Sequence, residues 1–116
     1  MSLTIFYVES PAASARFYEK LLDRAPIEAS PTFAMFTLEG GGMLGLWARE
    51  EVKPTAPHLG GGGELSLEVA DVDATHAAWV ARGATILHPP MDLDFGRSFL
   101  AVDPDQHRLR MFKPAM

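Results

Sequence analysis

The chain contains no cysteine. That excludes disulfides, thiolate metal sites and a cysteine nucleophile. It also lacks any run of lysine or arginine and carries a net charge of -5. With nothing to neutralise a phosphate backbone, nucleic acid is not an expected partner. No apolar stretch approaches the roughly 20 residues that a membrane helix needs, so no membrane partner is expected. The opening residues, Met-Ser-Leu-Thr-Ile-Phe-Tyr-Val-Glu, lack the basic start of a signal peptide and alternate like a strand. The expected location is the cytoplasm.

What the chain does have is a globular balance, with 47% hydrophobic and 22% charged residues. Its 116 residues fit a single domain. A chain this short buries a modest core, so pairing into a homodimer is expected to help it.

Read in order, the residues at 3–8 form a strand. Ser10-Pro11 opens a helix, with serine as the N-cap and proline at the first helical position. The helix covers 12–23, with Ala15, Tyr18, Leu21 and Leu22 near one face and Phe17 at its edge. Short strands follow at 27–29, 33–38 and 43–48, separated by Ser30-Pro31 and by Glu39-Gly40-Gly41-Gly42. Residues 49–63 hold Pro54, Pro57 and four consecutive glycines, and read either as a plain linker or as a lid over a site.

The order then repeats. A strand covers 64–69, and Asp71 or Asp73 caps a second helix that passes His76 and Trp79 and stops at Gly83. A strand at 85–88 is expected to end at Pro89-Pro90. Strands at 97–102 and 107–112 flank the turn Asp103-Pro104-Asp105-Gln106. Each half is thus a βαβββ unit, about 1–48 and 63–116, with Val8 and Val69 preceding the two helices 61 residues apart. The fold class is α+β: two βαβββ repeats whose curved sheets carry helices on the outer face.

Alternation sorts the strands into faces. Leu44 and Leu46 point one way, and Met43, Gly45 and Trp47 the other. Leu65, Leu67 and Val69 oppose Glu64, Ser66 and Glu68. His107, Leu109 and Met111 oppose Arg108, Arg110 and Phe112. The purely apolar faces belong under the helices. The open faces then carry Leu3, Ile5, Tyr7, Met43, Gly45, Trp47, Glu64, Ser66, Arg110 and Phe112, a mixture suited to a small-molecule pocket or to a dimer contact. Trp47 offers a stacking surface, and Gly45 beside it leaves room for a flat guest.

Four stretches carry a family resemblance: Ser-Ala-Arg-Phe-Tyr-Glu-Lys-Leu-Leu, Glu-Val-Ala-Asp-Val-Asp-Ala, Ala-Arg-Gly-Ala, and Asp-Pro-Asp-Gln-His-Arg-Leu. Taken in this order across a repeat, the chain resembles the vicinal oxygen chelate superfamily of glyoxalase I, bleomycin-resistance proteins, fosfomycin-resistance enzymes and extradiol dioxygenases. The metal enzymes of that family draw four ligands from the first and last strands of each half. The matching positions here are Leu3, Gly45, Glu64 and Arg110, of which only Glu64 offers a metal donor. No metal and no other cofactor is therefore expected. Leu-Gly-Leu-Trp and Asp-Phe-Gly-Arg-Ser-Phe-Leu-Ala-Val-Asp-Pro-Asp are similar to the phenazine-binding resistance proteins of the metal-free branch.

The expected function is non-catalytic binding and sequestration of a planar aromatic or hydrophobic small molecule, such as a phenazine antibiotic. The ligand is expected to meet Tyr7, Met43, Gly45, Trp47, Glu64, Ser66, Phe95, Arg97, Arg110 and Phe112. Glu64 and Arg110 read either as a structural ion pair or as ligand contacts, with Arg110 open to a ligand carboxylate in competition with Glu64. One alternative is a lyase or oxidoreductase of the same fold, through an unforeseen metal site or with Glu64 or Glu68 as a base. The other is an interaction protein with no small ligand. Trp79 is expected to pack helix against sheet, and His58, His76, His88 and His107 to be structural or solvated.

Overall fold

The computed structural model describes residues 2–60 and 62–115; Met1, Met116 and Gly61 of the glycine run lie outside the described residues. Among the described residues eleven elements follow one another, and the chain divides into two compact units, Met1–Gly60 and Gly61–Met116.

In the first unit, β1 (Leu3–Val8) leads into α1 (Pro11–Leu22), followed by β2 (Glu28–Ala29), β3 (Phe33–Thr37) and β4 (Met43–Ala48). The sheet order is β1-β4-β3-β2, with β1 parallel to β4 and the other pairs antiparallel. Ser10 caps α1 by accepting from the Ala13 amide at 3.2 Å, and Asp23 ends the helix in the left-handed conformation. Ser14, Ala15, Tyr18 and Leu21 are buried, while Leu22 stays half-buried. Tyr18 packs near Phe36 of β3, and Leu44 and Leu46 are fully buried. Each such large apolar side chain contributes roughly 1.5–3 kcal/mol.

The second unit repeats this plan: β5 (Glu64–Glu68), α2 (Val72–Ala81), β6 (Thr85–Leu93), β7 (Gly96–Val102) and β8 (Arg108–Pro114), in the order β5-β8-β7-β6. Asp71, not Asp73, caps α2, accepting from the Ala74 amide at 3.0 Å. Trp79 is buried edge-on against Phe99 of β7, with ring centroids 5.6 Å apart. His107, Leu109 and Met111 are buried together, as their alternation implies. His107 Nδ1 lies 2.9 Å from Asp103 Oδ2, and Asp103 Oδ1 accepts the amides of Asp105 and His107, so this buried pair pins the β7–β8 turn.

Two expectations are corrected. Pro89-Pro90 does not end the sixth strand, which continues to Leu93. Among the described residues β6 pairs only with β7, and register shifts between Ile86 and Met91 absorb the prolines. On an edge strand a missing amide costs no ladder bond. Nor is 49–63 uniformly a loop: Arg49–Glu51 forms one 3-10 turn, and Val52 behind it is buried.

Candidate functional site

The second unit has a cleft of about 370 Å³, lined by Glu64, Ser66, Phe95, Arg110 and Phe112. That volume falls in the range of small-molecule sites. Strand parity creates it. Glu64 and Ser66 occupy alternate positions of β5, and Arg110 and Phe112 alternate positions of β8. The parallel register sets Ser66 beside Arg110 and Glu68 beside Phe112. Phe95, half-exposed, stands in the β6–β7 turn, with its carbonyl accepting the Ala115 amide at 2.8 Å.

Arg110 organises the polar side of this cleft. Its Nε and Nη2 donate to the two carboxylate oxygens of Glu64, a fork-to-fork pair that adds directionality to charge. Its Nη1 donates to Ser98 Oγ at 3.0 Å, and Ser66 Oγ donates to Glu64 Oε2 at 2.9 Å. The hydrogen bond from Arg110 is the main reason that the Glu64 carboxyl is held below its ordinary 4.5; partial burial works against it, and Ser66 adds to it. The apolar side is aromatic. Phe95 and Phe112 meet edge to face with centroids 6.3 Å apart, and the Arg110 guanidinium carbon lies 5.9 Å from the Phe95 centroid. Such a cation–π contact contributes about 0.5–1 kcal/mol at an exposed site.

In the first unit Tyr7 and Trp47 are paired across β1 and β4, with rings 6.4 Å apart at 74°. Both are half-buried, as is Met43. The room expected beside Gly45 is taken. A Cβ there would lie 2.9 Å from Cζ of Phe33 and 3.3 Å from Cγ1 of Ile5. Phe33 belongs to the same face, because β3 pairs antiparallel with β4.

Arg97 is a correction. Its Nε and Nη2 donate to both oxygens of Asp73, each at 2.9 Å, and its Nη1 to Asp92 at 3.0 Å. Arg97 therefore braces the start of α2 against β6, on the helix side of the sheet and away from the Phe95 cleft. The Asp73 bond, then the Asp92 bond, raises the Arg97 pKa further; Arg97 in turn lowers that of Asp73. Ser98, one residue on, is the buried partner of Arg110 that the sequence reading missed. No alternation marks it, because the apolar run Phe99-Leu100-Ala101-Val102 that follows is buried on both faces. Glu64 and Arg110 form an ion pair as neighbours on the adjacent strands β5 and β8.

Among the described residues, no three histidine, aspartate or glutamate side chains gather as a metal site. At the four positions matching the metal enzymes, Leu3 and Gly45 bring no donor atom, and Arg110 is itself a cation that engages both oxygens of Glu64. This donor set does not fit a divalent metal.

The chain belongs to the Glyoxalase/Bleomycin resistance protein/Dioxygenase superfamily, whose sequence model matches residues 2–111. It is similar to the phenazine antibiotic resistance protein EhpR of Enterobacter agglomerans, at 26% identity over 114 residues, covering 95% of this chain and 88% of that one. Among solved structures it is similar to protein ATC0852 from Agrobacterium tumefaciens: 48% identity, TM-score 0.85, covering 98% of this chain and 96% of that one. A glyoxalase-related enzyme from Fulvimarina pelagi, 22% identical, shares the fold with a TM-score of 0.83, covering 97% of this chain and 86% of that one.

Proposed function

We propose that this protein binds a planar aromatic small molecule without altering it, and protects by sequestration, with a phenazine-type antibiotic as the ligand. The observation that carries this reading is the cleft itself. It sets two aromatic rings beside a guanidinium that is already charge-paired, and it offers no group ready for proton transfer. Glu64 is the one carboxylate lining it, and with both oxygens engaged and its pKa lowered it is a poor general base. The likeness to a phenazine antibiotic resistance protein supports the ligand class. Within the cleft a flat ligand stacked on Phe95 or Phe112 gains about 0.5–1.5 kcal/mol beyond area burial. The working form is a homodimer in the cytoplasm.

Titration of the protein with phenazine tests this. Calorimetry should show binding, and Phe95→Ala, which removes one of the two rings of the cleft, should weaken it about tenfold. Mass spectrometry should recover the phenazine unchanged. A chemically altered phenazine would point to an enzyme, and no binding up to the solubility limit would defeat the proposal.

A further inference from the structure

We infer that Glu64 makes the cleft of the second unit a charge filter, which admits uncharged planar aromatics and turns away aromatic acids. This rests on the reading of that cleft as a small-molecule site.

An arginine beside two aromatic rings would ordinarily act as a carboxylate receptor, because its planar fork matches a carboxylate's two oxygens. Here that fork is filled from within the protein. The Nε and Nη2 edge holds Glu64, and Nη1 holds Ser98. Glu64 is equally committed, with Oε1 on Nη2 and Oε2 on both Nε and Ser66. An entering carboxylate has two routes, both unfavourable. It can displace Glu64, leaving a partly buried carboxylate with Ser66 as its remaining hydrogen-bond partner in the network. Or it can approach the outer guanidinium hydrogens while Glu64 sits on the same group, so that attraction and repulsion nearly cancel. In either case the acid gives up its water without net compensation.

A neutral ligand meets neither obstacle. It packs against Phe95 and Phe112, and its ring nitrogen or carbonyl can accept from the guanidinium. That group has five N–H donors, of which the three bonds described use three. The lowered pKa of Glu64 keeps the filter charged at neutral pH.

Calorimetric titration of the full chain at pH 7 with phenazine-1-carboxamide and phenazine-1-carboxylate tests this. The carboxamide should bind about tenfold more tightly, the scale of one charge interaction in a partly exposed site. Glu64→Gln, which preserves a hydrogen bond to Arg110, should close or invert that ratio. Asp73→Asn removes the same charge from the other arginine-bound carboxylate, on the helix side of the sheet, and should leave the ratio unchanged. Thermal melting checks that both variants are folded. Equal binding of the two compounds to the unmodified chain, or an equal response in both variants, overturns the filter while leaving the small-molecule reading intact. If neither compound binds any form of the protein, the small-molecule reading falls, and the filter with it.

Discussion

At Gly96 the backbone has a φ of +145°, and a Cβ there would lie 2.1 Å from the carbonyl oxygen of Lys113. The obstructing atom belongs to the strand that Gly96 pairs beside, so it cannot yield without breaking the β7–β8 ladder. At Gly45 the obstruction is the far end of the half-buried Phe33 side chain rather than backbone. Two glycine-to-alanine substitutions should therefore differ sharply. Gly45→Ala should cost about 1 kcal/mol as Phe33 moves aside. Gly96→Ala should cost about 3 kcal/mol or more, because strain in a glycine-only conformation adds to a backbone clash. Urea denaturation of both variants measures this, and equal losses would refute the argument. Gly45 also shows where composition misleads. A glycine beside a tryptophan reads as open space, but the space belongs to whichever residue the neighbouring strand places there.

At the scale of elements, the helices begin where their caps are and the strands end where pairing allows. Ser10 and Asp71 stand at equivalent points of the repeat, and each accepts an amide three residues on. Asp71 is also supported by its carbonyl, which accepts the Thr75 hydroxyl and amide. Asp71→Ala should destabilise the second unit by about 1 kcal/mol, the usual value of a side-chain N-cap. Asp71→Asn should recover most of that, since the amide oxygen can still accept. Circular-dichroism melts of the two variants provide the comparison. The Ser10 cap was legible in the sequence because it is local, whereas two aspartates offered themselves at α2 and the Ala74 amide decides for Asp71. The end of β6 was not, because whether a proline stops a strand depends on whether its missing amide faces a partner. Arg97 and Ser98 were exchanged in role for a similar reason. The run Phe99-Leu100-Ala101-Val102 is apolar on both faces and hides the parity of β7. Only the contacts of Phe99 with Trp79 and of Arg97 with Asp73 assign the helix side.

For the whole molecule, the recurring fact is duplication. Both units have the same strand order and the same mixture of one parallel and two antiparallel pairings, and each has a helix with its own cap. Large apolar side chains nevertheless stay exposed, among them Leu3, Ile27, Val80, Leu87 and Phe95. A chain of this size has limited means to cover them alone. Sedimentation or light scattering at micromolar concentration should give twice the 12.6 kDa chain mass. A single-chain mass under those conditions would sink the dimer proposal. No helix among the described residues is long and apolar enough to cross a membrane.

The sequence alone determined the repeat, its βαβββ order, the cap of the first helix and the face on which each charged residue of β5 and β8 would lie. These follow from spacing and alternation, which are properties of the chain itself. Only the tertiary structure decided what those residues do to one another. The parallel β5–β8 register brings Arg110 onto both oxygens of Glu64, and the antiparallel β7–β8 pairing brings Ser98 to its third nitrogen and leaves Phe95 beside it. Register, edge position and the filling of space depend on which strand lies alongside, and no local pattern in a single strand encodes its neighbour.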